Sequence, residues 1–243
     1  MKDRTNTVYT GRCVLLSDGK DSTEVNRVIC ADCLEILRDM PDNSVDLILT
    51  DPPYGIGESN EKNSSRGCLA NTTDFGAYDW DKKKLERHYI DEMLRVSKNQ
   101  VIFGGNYYAN WLPPSSCWIV WDKVNGMTDF ADVELAWASY DKAARIYKWK
   151  SQGMLQQDMK YKEVRIHPTQ KPLPLFRWIL KRFSSKDEIV LDPFCGSGTT
   201  GVAAVQCDQK FICIEKDPTM FRKAESRIRG EQSQEKLNKW VFQ

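Results

Sequence analysis

Residues 188–230 read EIVLDPFCGSGTTGVAAVQCDQKFICIEKDPTMFRKAESRIRG. EIVLDPF and KFICIEKD are short apolar runs bounded by turn residues, which predicts two buried strands. Between them GSGTTGVAAVQC predicts a helix opened by glycines, and PTMFRKAESRIRG a helix with proline near its start. Strand, helix, strand, helix in so short a stretch implies parallel strands joined by crossovers. An open α/β sheet follows, whose ligands sit beyond the carboxyl ends of the strands near the switch in strand order.

A second unit of the same kind runs from Arg27 to Thr50: VIC as a strand, CLEILRDM as a helix with Leu34, Leu37 and Met40 on one face, and VDLILT as a buried strand. Lys82 to Ser97 has a helical period carrying Leu85, Ile90, Met93, Leu94 and Val96, and QVIFGG after it predicts a further strand. WIVW (Trp118 to Trp121) and VELAWA (Val133 to Ala138), separated by a turn-rich segment, predict an antiparallel hairpin at a sheet edge. A helix is predicted over Leu173 to Phe183. Glu58 to Asp81, rich in Asn, Ser, Gly and Thr, reads as a long loop, and the polar tail after Gly230 takes no assignment.

The 243 residues suffice for one large domain, taken here as residues 1–243 with insertions. No apolar run approaches the roughly eighteen residues needed to cross a bilayer, and the polar start MKDRTNTVYTGR lacks a secretion signal. The expectation is a soluble, cytoplasmic protein without a membrane partner. The eight cysteines are scattered, several within strand-like runs, so reduced thiols are expected. Cys30 and Cys33 form the one CxxC pair, and with only His88 and His167 as imidazoles no metal site is expected. The net charge of +1 conceals a strong asymmetry: residues 141–182 hold eleven Lys or Arg against three acids, so the rest of the chain is net acidic.

Two motifs follow buried strands. Asp192-Pro193-Phe194-Cys195-Gly196-Ser197-Gly198-Thr199-Thr200 puts glycines where a strand turns into a helix, so a ligand can approach backbone N–H groups at a helix N-terminus. Its spacing is neither that of a dinucleotide-binding GxGxxG nor that of a phosphate loop. Glu215, ending the next strand, is where an acid can accept hydrogen bonds from both hydroxyls of a ribose; a pure packing turn is the alternative. Asp51-Pro52-Pro53-Tyr54 takes the chain out of a strand while presenting a carboxylate, a proline carbonyl and an aromatic ring, or else serves only as a turn. His88 reads as a surface residue and Cys195 as a small filler.

LTDPPYG, HPTQKP and LDPFCGSGTT, in this order, resemble the S-adenosylmethionine-dependent amino methyltransferases of DNA, in the permuted group where the catalytic motif precedes the cofactor motif, and the adenine-N6 type most closely. The likeness covers Ile29 to Tyr54 and His167 to Arg229. It implies a Rossmann-like methyltransferase fold, with a mostly parallel seven-stranded sheet, one antiparallel edge strand and a circularly permuted motif order. It also implies S-adenosyl-L-methionine as cofactor and double-stranded DNA as partner. Asp51, Pro52, Pro53 and Tyr54 would line the target-base pocket. Phe194, Gly196 and Gly198 would surround the methionine end of the cofactor, in a turn that includes Asp192, Ser197, Thr199 and Thr200. Glu215 would hold the ribose, and His167, Thr169 and Lys171 would lie beside the methionine moiety. Asp32 would sit near the cofactor adenine, although Ala31 stands where family members often have Gly.

The chemistry accounts for these residue types. An adenine amine is a poor nucleophile because its lone pair is delocalised into the ring, so the site must favour a pyramidal nitrogen. The Asp51 carboxylate and Pro52 carbonyl can each accept one N–H and stabilise the positive charge that develops during direct transfer. Tyr54 can stack on a base swung out of the duplex. For DNA contacts, Arg145, Lys148, Lys150 and Lys162 interleave with Trp149 in a basic insertion at about 141–166, and Arg66 lies in the flexible loop at 55–81. With about 26 residues in that insertion, a short recognition sequence, help from the loop, or a homodimer is expected. A cytosine-N4 enzyme and a noncatalytic nucleic-acid-binding relative remain as alternatives, and a role in restriction-modification is left open.

Overall fold

The computed structural model describes residues 25–55, 84–126, 131–152, 155–160, 162–167 and 169–241. The amino-terminal half contributes β1 (Arg27–Cys30), α1 (Cys33–Asp39), β2 (Val45–Thr50), α2 (Arg87–Val96) and β3 (Ser97–Phe103). After a single 3-10 turn at Gly105–Tyr107 come β4 (Trp118–Asp122), β5 (Val133–Ala138), β6 (Arg145–Lys148) and a small hairpin of β7 (Ser151–Gln152) and β8 (Leu155–Gln156). The chain closes with α3 (Leu173–Phe183), β9 (Ile189–Asp192), α4 (Thr199–Gln206), β10 (Lys210–Glu215) and α5 (Pro218–Val241).

The main sheet runs β1-β10-β9-β2-β3-β5-β4-β6. The first five strands are mutually parallel, β5 is antiparallel to both β3 and β4, and β6 is parallel to β4. Strand alternation divides the core into two layers. Leu47 and Leu49 of β2 face α3, α4 and α5, with Phe176, Ile179, Val202, Ala203 and Ile228. Ile48, between them, faces α1 and α2, with Leu37, Met40, Ile90, Met93 and Val96. The α/β sandwich expected from the sequence is therefore the fold observed.

Three details differ from expectation. The sheet has eight strands rather than seven, because Arg145–Lys148 pairs along the outer edge of β4, whose N–H and C=O groups would otherwise lack a ladder. The reversed strand lies inside the sheet between β3 and β4 rather than at its edge. The tail after Gly230 continues α5 to Val241, since one glycine costs a helix only about 1 kcal/mol. No described helix is long and apolar enough to cross a membrane.

The two halves of the chain meet along β1 and β10 and again where β2 lies beside β9. That ladder has only two register pairs, Leu47 with Val190 and Ile48 with Leu191. Beyond it Thr50 Oγ1 donates to Asp192 Oδ1 at 2.6 Å, and Thr200 Oγ1 donates to Asp192 Oδ2. The carboxyl ends of β2, β9, β10 and β1 thus open onto one crevice.

Candidate active site

Asp51, Pro52, Pro53 and Tyr54 leave the end of β2 as the sequence implied. Neither proline has an N–H, so the ladder stops here, and Tyr108 Oη donates to the Pro53 carbonyl. The Tyr54 ring stacks on Tyr107 with centroids 4.8 Å apart and planes 19° apart. Tyr54 Oη donates to Asp51 Oδ1. The ring occupies space that only a glycine leaves: Gly104 has φ +65°, and a Cβ there would clash with Tyr54 Cε1.

Lys171 was expected on the cofactor side, but its ammonium sits on Asp51 Oδ2 and 3.2 Å from Glu134 Oε2. The other oxygen of Glu134 is 2.6 Å from Lys123 Nζ. Burial pushes the Asp51 carboxyl upward, and Lys171 opposes this. Glu134 is also raised by burial, yet Lys171 and Lys123 outweigh that and hold it below the ordinary carboxylate range. Lys171 stays protonated because its two carboxylates outweigh its own burial. Sequence reasoning missed Glu134, although a single charge inside the apolar run VELAWA was a usable signal.

On the other side of the crevice, Gly196 N–H donates to Glu215 Oε2 at 2.9 Å and Asp217 N–H to Glu215 Oε1 at 2.8 Å, which fixes the carboxylate against the glycine turn. Burial, with Asp217 and Asp192 nearby, raises Glu215 to about 7. Asp192 is raised by burial to about 6, and its oxygens brace Thr50, Thr200 and Phe194 N–H. The two glycines differ in use. A Cβ on Gly198 (φ +77°) would meet Ala224 and Ile228 of α5, so this residue permits helix packing. A Cβ on Gly196 would stand 3.8 Å from His167 Nε2, an ordinary contact, so glycine is required here by its φ of +50° and the turn packs close to the imidazole. His167 is buried and lowered to about 4, hence neutral, and its Nδ1 faces Thr169 Oγ1 at 3.1 Å. Ser197 and Thr199 are bound by Arg227. Asp32 caps α1 through Leu34 N–H and pairs with Lys216 at 2.8 Å. Its neighbour Tyr89 lies 6.2 Å from the Phe194 ring.

The basic insertion is only partly as expected. Arg145 and Lys148 project from β6, Lys148 within 3.6 Å of Asp122, and Lys162 is exposed. Trp149 turns inward, stacking with Tyr147, which in turn packs on Trp178, so these rings join the core rather than a free surface. Inward turning follows from the alternation of β6. Arg66 and Tyr161 lie outside the described residues, as does the loop from residue 56 to 83. A cleft of about 640 Å³ lies behind the glycine turn, lined by residues that include Glu163, Ile166, Lys223 and Arg227, and by none of residues 51–54.

A protein-family model described as DNA methylase, of the N6/N4 methyltransferase kind, matches residues 138–226. YubD of Escherichia coli strain K12, which carries the name methylase, is 29% identical over 218 residues, spanning 84% of this chain and 90% of its own. The type II methyltransferase M2.MboI of Moraxella bovis is 27% identical over 224 residues, 76% of this chain and 81% of its own. Among solved structures, the M1.HpyAVI–SAM complex superposes with a TM-score of 0.52 at 25% identity, covering 83% of this chain and 98% of that one. The cytosine-N4-specific PvuII DNA methyltransferase superposes with a TM-score of 0.52 at 17% identity, covering 86% and 91%. The chain thus has the Rossmann-like methyltransferase fold and is similar, over residues 138–226, to the N6/N4 DNA methylases.

Proposed function

We propose that the protein transfers a methyl group from S-adenosyl-L-methionine to the exocyclic N6 amine of adenine in double-stranded DNA, as a member of the permuted group. The observation that carries the proposal is the pairing of β2 with β9. It sets a carboxylate-bearing DPPY turn beside a glycine turn whose partner acid, Glu215, is fixed by two backbone N–H groups. The cofactor's chemical class fits the residues present. Glu215, fixed at the end of β10 beside the glycine turn, offers carboxylate oxygens to a ribose diol. When bound, the sulfonium supplies an activated methyl group.

The chain's own residues do the rest. Asp51 and the Pro52 carbonyl accept the two N–H bonds of the amine, direct its lone pair across the crevice and stabilise the charge it acquires. Entry of the amine takes Asp51 Oδ1 from the Tyr54 hydroxyl, which frees that ring to meet the base. No cysteine nucleophile is used: Cys195 is buried beside Cys213, which with desolvation keeps its thiol protonated. The adenine assignment rests on the motif resemblance, since an N4-cytosine enzyme has the same fold.

The test is to incubate the protein with DNA and radiolabelled S-adenosylmethionine, digest to nucleosides and separate them. Label in N6-methyladenine is expected, and label in N4-methylcytosine would replace this reading. Asp51→Ala should retain cofactor binding by calorimetry and lose at least about a hundredfold in turnover, the scale for one transition-state partner.

A further inference from the structure

We propose that Glu134 is a positioning residue which, through Lys171, keeps Asp51 available as acceptor for the target amine; the proposal deepens the methyl-transfer reading and rests on it. Asp51, Lys171, Glu134 and Lys123 form a chain of alternating charge contributed by four separate segments, and no side chain in it is more than 23% exposed. Such a chain is costly to bury, and it persists only where each ion has its counter-ion. Lys171 alone beside Asp51 would work against the reaction in two ways. It would hold one of the carboxylate's oxygens, and it would place a cation near a nitrogen that is becoming positive. Glu134 draws on the same ammonium, its Oε2 at 3.2 Å, so the trio Asp51, Lys171 and Glu134 carries one net negative charge. Lys123 neutralises Glu134 from the side away from Lys171 and fixes its orientation. Glu134 is placed for this by β5: the reversed strand enters the sheet beside β3, bringing its charged residue toward the end of β2.

The ionisable groups around Asp51 are Lys171, Glu134 and Tyr54, with Asp192 across the strand joint and a neutral His167 near Lys171. Removing Glu134 and removing Lys171 should therefore displace the titration of Asp51 in opposite directions. In Glu134→Gln, Asp51 loses a like charge and takes Lys171 alone, so the acid limb of the kcat profile moves to lower pH. In Lys171→Gln, two carboxylates face each other without their cation, so the limb moves to higher pH. Each displacement should reach about one unit. Glu134→Gln should lower kcat at least about tenfold, less than loss of Asp51 itself, with KM for DNA little changed. Glu134→Asp should restore part of the rate.

The experiment measures kcat and KM against pH for the full chain and these three variants, with cofactor binding as a check on folding. Titration of the Asp51 carboxyl carbon by NMR in the DNA-free protein gives the same displacements without any need for turnover. Opposite shifts in the two neutralising variants, with partial recovery in Glu134→Asp, support the proposal. A parent-like rate and limb in Glu134→Gln, or shifts in the same direction, overturn it. If Glu134→Gln does not fold, Glu134→Asp against the parent and Lys171→Gln against the parent decide, and an unmoved limb in both overturns it. A parent that methylates no base while the NMR displacements are opposite removes the transfer reading alone.

Discussion

Glu215 shows how a single carboxyl joins burial to ligand chemistry. Both its oxygens already accept backbone N–H bonds, and burial, helped by Asp217 and Asp192, raises it to about 7. Ribose hydroxyls donate to the ionised form. S-adenosylmethionine affinity is therefore expected to fall as pH drops through 7 and to level off above it, because below that value a proton must leave before the diol can bind. Calorimetry across this range checks the sign. Glu215→Gln should bind more weakly at high pH and lose the dependence, and an unchanged dependence would remove Glu215 from the ribose. Lys171 and Glu134 make a contrasting case. The HPTQKP motif marked Lys171 as functional, but its partners lie at sequence distances that no local pattern reports, so its side of the crevice could not be read.

At the scale of elements, Gly104 ties the end of β3 to the aromatic ring at the end of β2. Gly104→Ala would combine a left-handed backbone with a Cβ inside the space of the Tyr54 ring. The expected outcome is a stability loss of about 1–3 kcal/mol in urea unfolding and a larger proportional loss of turnover, since the ring must be displaced. Cofactor affinity should stay near that of the parent. Elements buried on both faces were legible in the sequence: VDLILT, the strand leading into the glycine turn and KFICIE are apolar runs bounded by turn residues, and Leu173–Phe183 keeps a helical period. β6 was not, because RIYK is mostly exposed and is held by backbone pairing to β4 rather than by a buried face. The later turns of α5 were missed for a related reason. Beyond Ile228 the helix is mostly polar, and nothing in its pattern points to a core. The glycine and DPPY turns were legible because each is a run of consecutive turn-forming residues directly after a buried strand.

Over the whole molecule, the excess of eight positive charges in residues 141–182 is set against a chain whose total is +1. Replacing Lys148, Lys150 and Lys162 together by glutamine should weaken DNA binding and make its logarithmic dependence on salt shallower by up to about three units, since each phosphate contact contributes roughly 0.9. Cofactor affinity should be unaffected. An unchanged salt slope in a binding titration would move the contact surface away from this insertion. The inward turn of Tyr147 and Trp149 shapes the same expectation: this surface offers charge more than stacking, so its contribution should depend little on base sequence.

The joint of β2 and β9 has two ladder pairs, with Ile189 N–H donating to Asp46 at one end and the bracket of Thr50, Asp192 and Thr200 at the other. The DPPY turn lies on one limb and the glycine turn on the other, and across the crevice the limbs are tied by that bracket and by the ion pair of Lys171 with Asp51. The order in which a gene spells the two limbs is therefore silent in the chemistry. Either limb can be written first, provided both fold and the bracket closes.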